Sequence, residues 1–360
     1  MFNIFSTQNP IGLHINNEFA RIAQIDNKGK ITLLNKIALP NGTIFNGKIM
    51  READLILSIK NLFKEAGGKN KISNREIICS LPEQLTYLKK LEANGKNDAM
   101  QKIVENELSA HIPEKIDSLY IDWEIINYKK IKNKLNNQPL KILAGAGEKI
   151  IIEQYINVLE KAGLSPIALE IESLAIARAV IKNDEKRDEN NSTGILYIDS
   201  SASMFMLYTN TVEFSITLPF SGEKIISLLM NSLKIDRKQA IKAKNMCGLD
   251  EKKAKGAVKK ILEPFVLDII RKIKNIENYY LAYYGNKKIN NLILCGEDAN
   301  LKNLDKVITE NTKIKTEIIM PTINLISDKN DNYFNNPDIA SYTASIGLAL
   351  NNFRTGKNEC

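Results

Sequence analysis

Histidine, cysteine and tryptophan are scarce in this chain of 360 residues, and each shortage removes a class of chemistry. The two histidines, His14 and His111, do not sit at zinc-ligand spacing from any of the four cysteines, Cys79, Cys247, Cys295 and Cys360, and no C-x-x-C pair occurs, which argues against structural zinc. Long apolar runs are missing as well: nowhere do about 18 apolar residues follow one another uncharged, so no membrane-spanning helix is expected. The first ten residues combine neither a basic stretch nor a continuous apolar one, so no secretory leader is expected and the expected location is cytoplasmic. Residues 351–360 are too polar for an amphipathic anchor, and Lys-Asn-Glu-Cys is not a prenylation box. Aromatic residues make up 7% and form no stacking series, while the lysines are scattered, so nucleic acid is not an expected partner. The densest basic run, residues 252–260, reads as a solvated helix face.

What remains is ordinary globular composition, 44% hydrophobic and 26% charged, in a length that suits about two folding units. The formal net charge of +8 favours acidic partners, phosphate or anionic lipid without selecting among them.

Two separated segments share one layout. The first is an apolar strand (Ile11–Ile15), the turn Asn16-Asn17-Glu18, an alternating strand (Phe19–Ile25), a second turn and a strand over 31–39; the second repeats this over 195–198, Asp199-Ser200-Ser201, 202–208 and Val212–Leu218. Alternation marks one buried face per strand, and Pro40 and Pro219 close the two meanders because proline cannot donate to a ladder. A helix follows each, over 50–66 and over Gly222–Leu233, and then a short strand, over 76–80 and 291–295. Between the halves lies an insertion with strands over 85–91, 121–128 and 140–146 and helices over 98–111 and 148–163. Residues 236–284 read as a charged helical insertion broken near Cys247-Gly248 and Glu263-Pro264, and 182–192 reads as an exposed loop.

The residues that carry a resemblance are Glu107-Leu-Ser-Ala-His-Ile-Pro113, Asp122-Trp123, Tyr155, Leu159, Glu160-Lys-Ala-Gly163, Leu169-Glu-Ile-Glu172-Ser-Leu-Ala-Ile-Ala-Arg178 and Asp338-Ile-Ala-Ser-Tyr-Thr-Ala-Ser-Ile-Gly-Leu-Ala-Leu350. With the paired meanders they resemble the PilM family of type IV pilus assembly proteins, within the actin-like ATPase superfamily that includes FtsA. The resemblance implies an α/β fold of two related lobes around a cleft with an inserted α+β subdomain of the SHS2 or 1C type. The boundaries it implies are residues 1–84 and the linker helix 166–190 in the first lobe, 85–165 in the inserted subdomain, and 191–235 and 287–360 in the second lobe, with 236–286 as a 2B-like helical insertion.

It also implies a nucleotide site, here incomplete. The first phosphate turn should resemble Asp-Ile-Gly-Ser-Ser-Ser-Val-Lys but reads His14-Ile15-Asn16-Asn17-Glu18-Phe19-Ala20-Arg21. His14 cannot replace a carboxylate toward Mg²⁺ and reads as a satisfied strand residue. Asn16 tolerates the left-handed geometry of the lost glycine, and Arg21 keeps a positive charge that suits either phosphate or an exposed strand. In the second turn Asp199 suits ordering of Mg²⁺-bound water and equally suits turn formation, while Ser201 replaces glycine. The remaining matches are Gly12, Asn17, Ser200, Gly222, Lys244, Gly248, Gly296 and Gly347, with Glu297 replacing a glycine and Ile241 a glutamate. Glu172 on the linker helix suits either a water-orienting base or a capping surface glutamate. Asp199 and Glu172 are thus the catalytic candidates and Asp199 the metal candidate, with ATP and Mg²⁺ held weakly or lost and hydrolysis negligible.

The implied role is a scaffold on the cytoplasmic face of the inner membrane. It holds the N-terminal cytoplasmic peptide of PilN in a groove between first lobe and insertion, with 85–91 and 140–146 as walls, and couples it to the motor ATPases and the platform protein. The alternative is an FtsA-like or secretion-platform ATPase with active nucleotide binding.

Overall fold

The computed structural model describes residues 9–68, 72–93, 97–126, 139–183, 192–284, 288–326 and 332–351. Most of the expected loop 182–192 and of the polar tail 351–360, and the last two residues of the expected strand 121–128, lie outside them.

The first lobe opens with an antiparallel meander of β1 (Ile11–Ile15), β2 (Phe19–Ile25) and β3 (Ile31–Ala38), followed by a two-residue hairpin of β4 (Ile44–Phe45) and β5 (Lys48–Ile49), then helix α1 (Glu52–Gly67) and strand β6 (Glu76–Leu81). The insertion contributes β7 (Thr86–Ala93), α2 (Asn97–Ser109), β8 (Leu119–Ile125) and β9 (Leu140–Glu148), after which come α3 (Lys149–Lys161), β10 (Ser165–Ile171) and α4 (Glu172–Val180). The second lobe runs β11 (Ser192–Ile198), β12 (Ser203–Tyr208), β13 (Val212–Leu218), α5 (Gly222–Leu233), α6 (Arg237–Cys247), α7 (Ala257–Tyr284), β14 (Ile289–Cys295), α8 (Leu304–Thr312), β15 (Lys315–Ile318) and α9 (Thr343–Ala349).

The two large sheets have orders β10-β6-β1-β2-β3 and β13-β12-β11-β14-β15, which are the same topology: three meander strands antiparallel, then two added in parallel. The central strands are covered on both faces. In β2, Ala20 and Ile22 join the core under α1, while Ala23 and Ile25 on the opposite face pack against Tyr342, Ile346 and Ala349. Both-face burial explains why β1 reads Ile-Gly-Leu-His-Ile with no exposed residue.

Three placements differ from the sequence reading. Helix α3, expected with the insertion, puts Tyr155, Val158 and Leu159 into the first-lobe core beside Leu55 and Ile59. The helices that end each half cross over: α4 supplies Ile176, Ala179 and Val180 to a core with Ile195, Tyr197 and Met204 of the second sheet, while α9 packs on the first sheet. Pro264 does not end a helix, since α7 continues through it, and the break falls instead in the turn before α7, where Lys255 has φ 50°.

The inserted sheet has order β7-β9-β8, with α2 and the buried residues Leu91, Met100, Val104, Leu108 and Ile142 forming its own core. Its β7 edge is occupied by the second lobe: Lys90 pairs with Glu213 and Glu83 accepts a hydrogen bond from the Ser215 hydroxyl. At the other edge β8 is the terminal strand among the described residues.

Candidate functional site

The cleft between the lobes is built from four loops. At the β1–β2 turn, the Asn16 side-chain oxygen accepts hydrogen bonds from the backbone N–H groups of Glu18 (2.9 Å) and Phe19 (2.7 Å), while Asn16 N–H donates to the Phe19 carbonyl (3.0 Å). Asn16 is not among the positive-φ residues, so it holds the turn by side-chain bonding rather than by the left-handed geometry expected of it. That bonding leaves its amide Nδ2 to donate to the carboxylate of Asp199, which belongs to the other lobe.

Arg21 ends beside the same carboxylate. It is 0% exposed, its two terminal nitrogens lie 3.4 Å from the two Asp199 oxygens, and Nη2 donates to Glu297 at 2.8 Å. Phe19 flanks it, with the guanidinium carbon 4.8 Å from the ring centre. The exposed-strand option for Arg21 is therefore overturned. Burial works against its charge, but Asp199, Tyr197 and Glu297 outweigh burial and hold the guanidinium even more firmly protonated.

Across the cleft, α5 starts on the second turn. Gly222 and Glu223 N–H donate to the carbonyls of Asp199 (3.1 Å) and Ser200 (2.9 Å), and the Ser221 hydroxyl accepts from Lys224 N–H (3.3 Å) as an N-cap. A side-chain carbon at Gly222 would lie 1.7 Å from an oxygen of Asp298, so glycine here admits that carboxylate to the first turn of the helix, where a helix dipole favours an anion. Asp298 also pairs with Lys244. Gly296, at φ 97°, makes the turn that delivers Glu297 and Asp298.

The resulting cavity, about 460 Å³, is lined by Glu18, Glu223, Glu297, Asp298 and Asp338 against Arg237 and Lys244. Burial raises the pKa of Glu18, Glu297 and Asp298, and nearby carboxylates push in the same direction. Each of the cations Arg237, Lys244, Arg21 and Lys36 is already engaged: Arg237 with Glu223, Lys244 with Asp298, Arg21 with Asp199 and Glu297, and Lys36 with Asp338. A triphosphate entering here would meet carboxylates first and would have to separate ion pairs to reach a cation.

The other candidates divide. Glu172, at the first turn of α4, is hydrogen-bonded to His14 Nε2 at 2.9 Å and shares with Tyr197, Asp199, Ser201 and Ser203 a chamber of about 30 Å³, room for one or two waters. Asn17 stays in the first turn, its side-chain oxygen 3.4 Å from Gly47 N–H. Gly12 and Gly347 do not reach the cleft: Gly12 packs on the backbone of α9 and Gly347 on Ala175 of α4. Gly248 packs against Lys302 at the end of α6. Sequence reasoning misses Asp298, although the paired acids of Cys-Gly-Glu-Asp mark the place. Among the described residues no group of three His, Cys, Asp or Glu side chains gathers to hold a metal ion.

A second concavity, about 390 Å³, separates the insertion from the first lobe. Its sides are β8 (Tyr120, Ile121, Trp123) and the end of β10 with α4 (Leu169, Ile171, Leu174). Among the described residues both strands are terminal in their sheets, so two sheet edges flank an apolar floor that includes Leu88 and Leu143. The expected walls 85–91 and 140–146 thus supply part of the lining, and β8 and β10 supply the edges. Among the described residues no helix is long and apolar enough to cross a membrane.

A family model described as type IV pilus assembly protein PilM matches residues 13–353. Among solved structures, the chain is similar to one described as the PilM-PilN type IV pilus biogenesis complex, with TM-score 0.79, 16% identity, 96% of this chain covered and 98% of that one. Ethanolamine utilization protein EutJ from Carboxydothermus hydrogenoformans gives TM-score 0.58 at 11% identity, with 97% and 91% covered. MreB5 of Spiroplasma citri, bound to AMPPNP, gives 0.55 at 11% identity, with 98% of each chain covered. At such identities these likenesses establish the actin-like fold.

Proposed function

Because the chain belongs to the type IV pilus assembly protein PilM family, we propose that it acts as a protein-binding scaffold, holding the N-terminal cytoplasmic segment of a PilN protein in the groove between β8 and β10. The observation that carries this reading is the pair of terminal strands flanking an apolar floor. An extended peptide there could bond its main chain to an edge and alternate its side chains into the groove, the mode of recognition by strand addition. The similar protein of the PilM-PilN complex has a partner of the matching kind.

Through such a peptide the protein would sit at the inner face of the cytoplasmic membrane, its net charge of +8 adding attraction to anionic lipid, and would link the platform protein to the pilus motor ATPases. The cleft does not fit Mg²⁺-ATP: its cations are engaged and its cavity is acidic, so nucleotide binding is weak and turnover negligible. This same feature weighs against an FtsA-like or secretion-platform ATPase. The test of the scaffold reading is fluorescence polarisation with a labelled PilN N-terminal peptide encoded beside this chain. Saturable binding supports it, and no binding at protein concentrations up to about 100 μM, weaker than roughly −5 kcal/mol, refutes it.

A further inference from the structure

In the actin-like fold, the resemblance above gives the second-turn acid to a metal and the glycine at the following helix to a phosphate. In this chain both positions are taken by the protein itself. Asp199 receives the Arg21 guanidinium and the Asn16 amide, and the first turn of α5 receives the Asp298 carboxylate through the space that Gly222 leaves. A cation stands where a metal would and an anion where a phosphate would.

We propose that Arg21 is an internal ligand that clasps the two lobes, with Asp298 filling the phosphate place inside the second lobe, so that closure of the cleft is intrinsic to the chain and does not require nucleotide. The proposal rests on the reading that Mg²⁺-ATP does not fit the cleft. The bonds run in the needed direction: Arg21 and Asn16 belong to the first lobe, and Asp199 and Glu297 to the second. Their burial matters, because a guanidinium at 0% exposure and an aspartate at 2% are shielded from the water and salt that dissolve surface pairs. Arginine suits the task, since its planar fork presents several N–H donors in fixed directions and reaches both carboxylates at once. Asp298 fixes the second lobe's side of the clasp by joining β14 to α6 through Lys244 while its backbone N–H donates to the Ile198 carbonyl at 3.0 Å. In a scaffold, such a clasp would keep β13 seated on the β7 edge of the insertion and so hold the peptide groove in one shape.

Hydrogen–deuterium exchange of the full chain tests this. The wild type should show the same exchange in residues 16–21, 199–203 and 296–299 without nucleotide and with about 5 mM Mg-ATP, a concentration above the range in which enzymes typically take up their substrates. Glu297→Gln, at a side chain 32% exposed and therefore tolerant of change, should speed exchange there about threefold. Asp199→Asn combined with Glu297→Gln should speed it at least about tenfold while the strands of both sheets keep their protection, and should confer binding of inorganic tripolyphosphate that the wild type lacks, because Arg21 is released. Unchanged exchange in both variants overturns the clasp. So does a tenfold slowing of wild-type exchange by Mg-ATP; calorimetry then separates the cases, since tight Mg-ATP binding also sinks the reading of the cleft, whereas weak binding with unchanged variants sinks the clasp alone. If the double variant does not fold, the single Glu297→Gln result decides.

Discussion

Gly347 of α9 lies directly against the carbonyl of Ala175 in α4: a side-chain carbon at 347 would stand 1.9 Å from that oxygen. One layer further on, Gly12 of β1 is as close to α9, where such a carbon would fall 2.1 Å from the Ser345 carbonyl. Two glycines therefore allow β1, α9 and α4 to stack at backbone distance in the middle of the molecule, where the helices cross between lobes. Nothing flexible can give way, because the obstacles are backbone atoms. Gly347→Ala should destabilise the fold by about 3 kcal/mol, the upper range of overpacking costs. Urea denaturation would show it as a lowered midpoint; an unchanged midpoint would mean that the helices slide apart freely.

How far the sequence goes is visible at the same two residues. Ile-Gly-Leu occurs at both places, and the glycines are legible as positions where backbone comes close. What comes close is not legible: the resemblance implies a nucleotide, and the structure gives a helix. The meanders and their helices can be read because each follows from local alternation and from proline and glycine at their ends. The crossing of α4 and α9 cannot, since both are short and mostly buried, and an apolar face says that a helix is covered without saying which sheet covers it. The cleft divides in the same way. Loss of the first acid at His14 shows in a single line of sequence, whereas the pairing of Arg21 with residues 178 and 276 positions away exists only after folding.

Arg178 makes a second buried pair. It bonds to the Glu170 carboxylate and donates to the Gly347 carbonyl at 2.8 Å, so it ties β10, α4 and α9 together. Glu170 is 4% exposed. Arg178→Met should cost about 3–5 kcal/mol by leaving that carboxylate without a counter-charge. Adding Glu170→Gln should recover a good part of the loss. Equal stability of single and double variants in denaturant melts would show that the charge pair is not the cause.

Glu83 should make stability depend on pH in the direction opposite to most carboxylates. It sits where the Ser215 hydroxyl of the second lobe and Ser173 N–H (3.2 Å) converge, and burial, the largest influence, raises its pKa to about 7, with Glu172 adding to the rise and the two serines opposing it. The folded state then holds a proton that the unfolded chain releases near pH 4.5. The stabilisation is complete below pH 4.5 and is lost as pH rises through 7, by at most about 3 kcal/mol. Melting temperature measured from pH 5 to 8 should fall more steeply for the wild type than for Glu83→Gln. Parallel curves would remove Glu83 from the account.

Mg-ATP should bind with a dissociation constant weaker than about 10 μM, roughly −7 kcal/mol. The cause is specific: an incoming phosphate must displace Asp298 from α5 or take Arg21 from Asp199 and Glu297. Isothermal titration calorimetry checks it, and a tighter constant for the wild type would show that those ion pairs open at little cost.

Strand addition in the groove makes a prediction about the peptide rather than the protein. Neighbouring residues of a strand point their N–H groups to opposite sides, so only every second N–H can reach an edge such as β8 or β10. Methylating the backbone nitrogen at single positions along a PilN peptide should therefore alternate in effect, with losses of about tenfold, near 1.4 kcal/mol, at one parity and small changes at the other. On the protein side, Leu174→Asp places a charge in the apolar lining and should weaken binding by tenfold or more. Ile216→Asp, on β13 at 45% exposure and outside the groove, should leave it unchanged. Methylation that harms binding equally at all positions would replace strand addition with recognition by side chains alone. Sensitivity at Ile216 with none at Leu174 would move the peptide off this groove altogether.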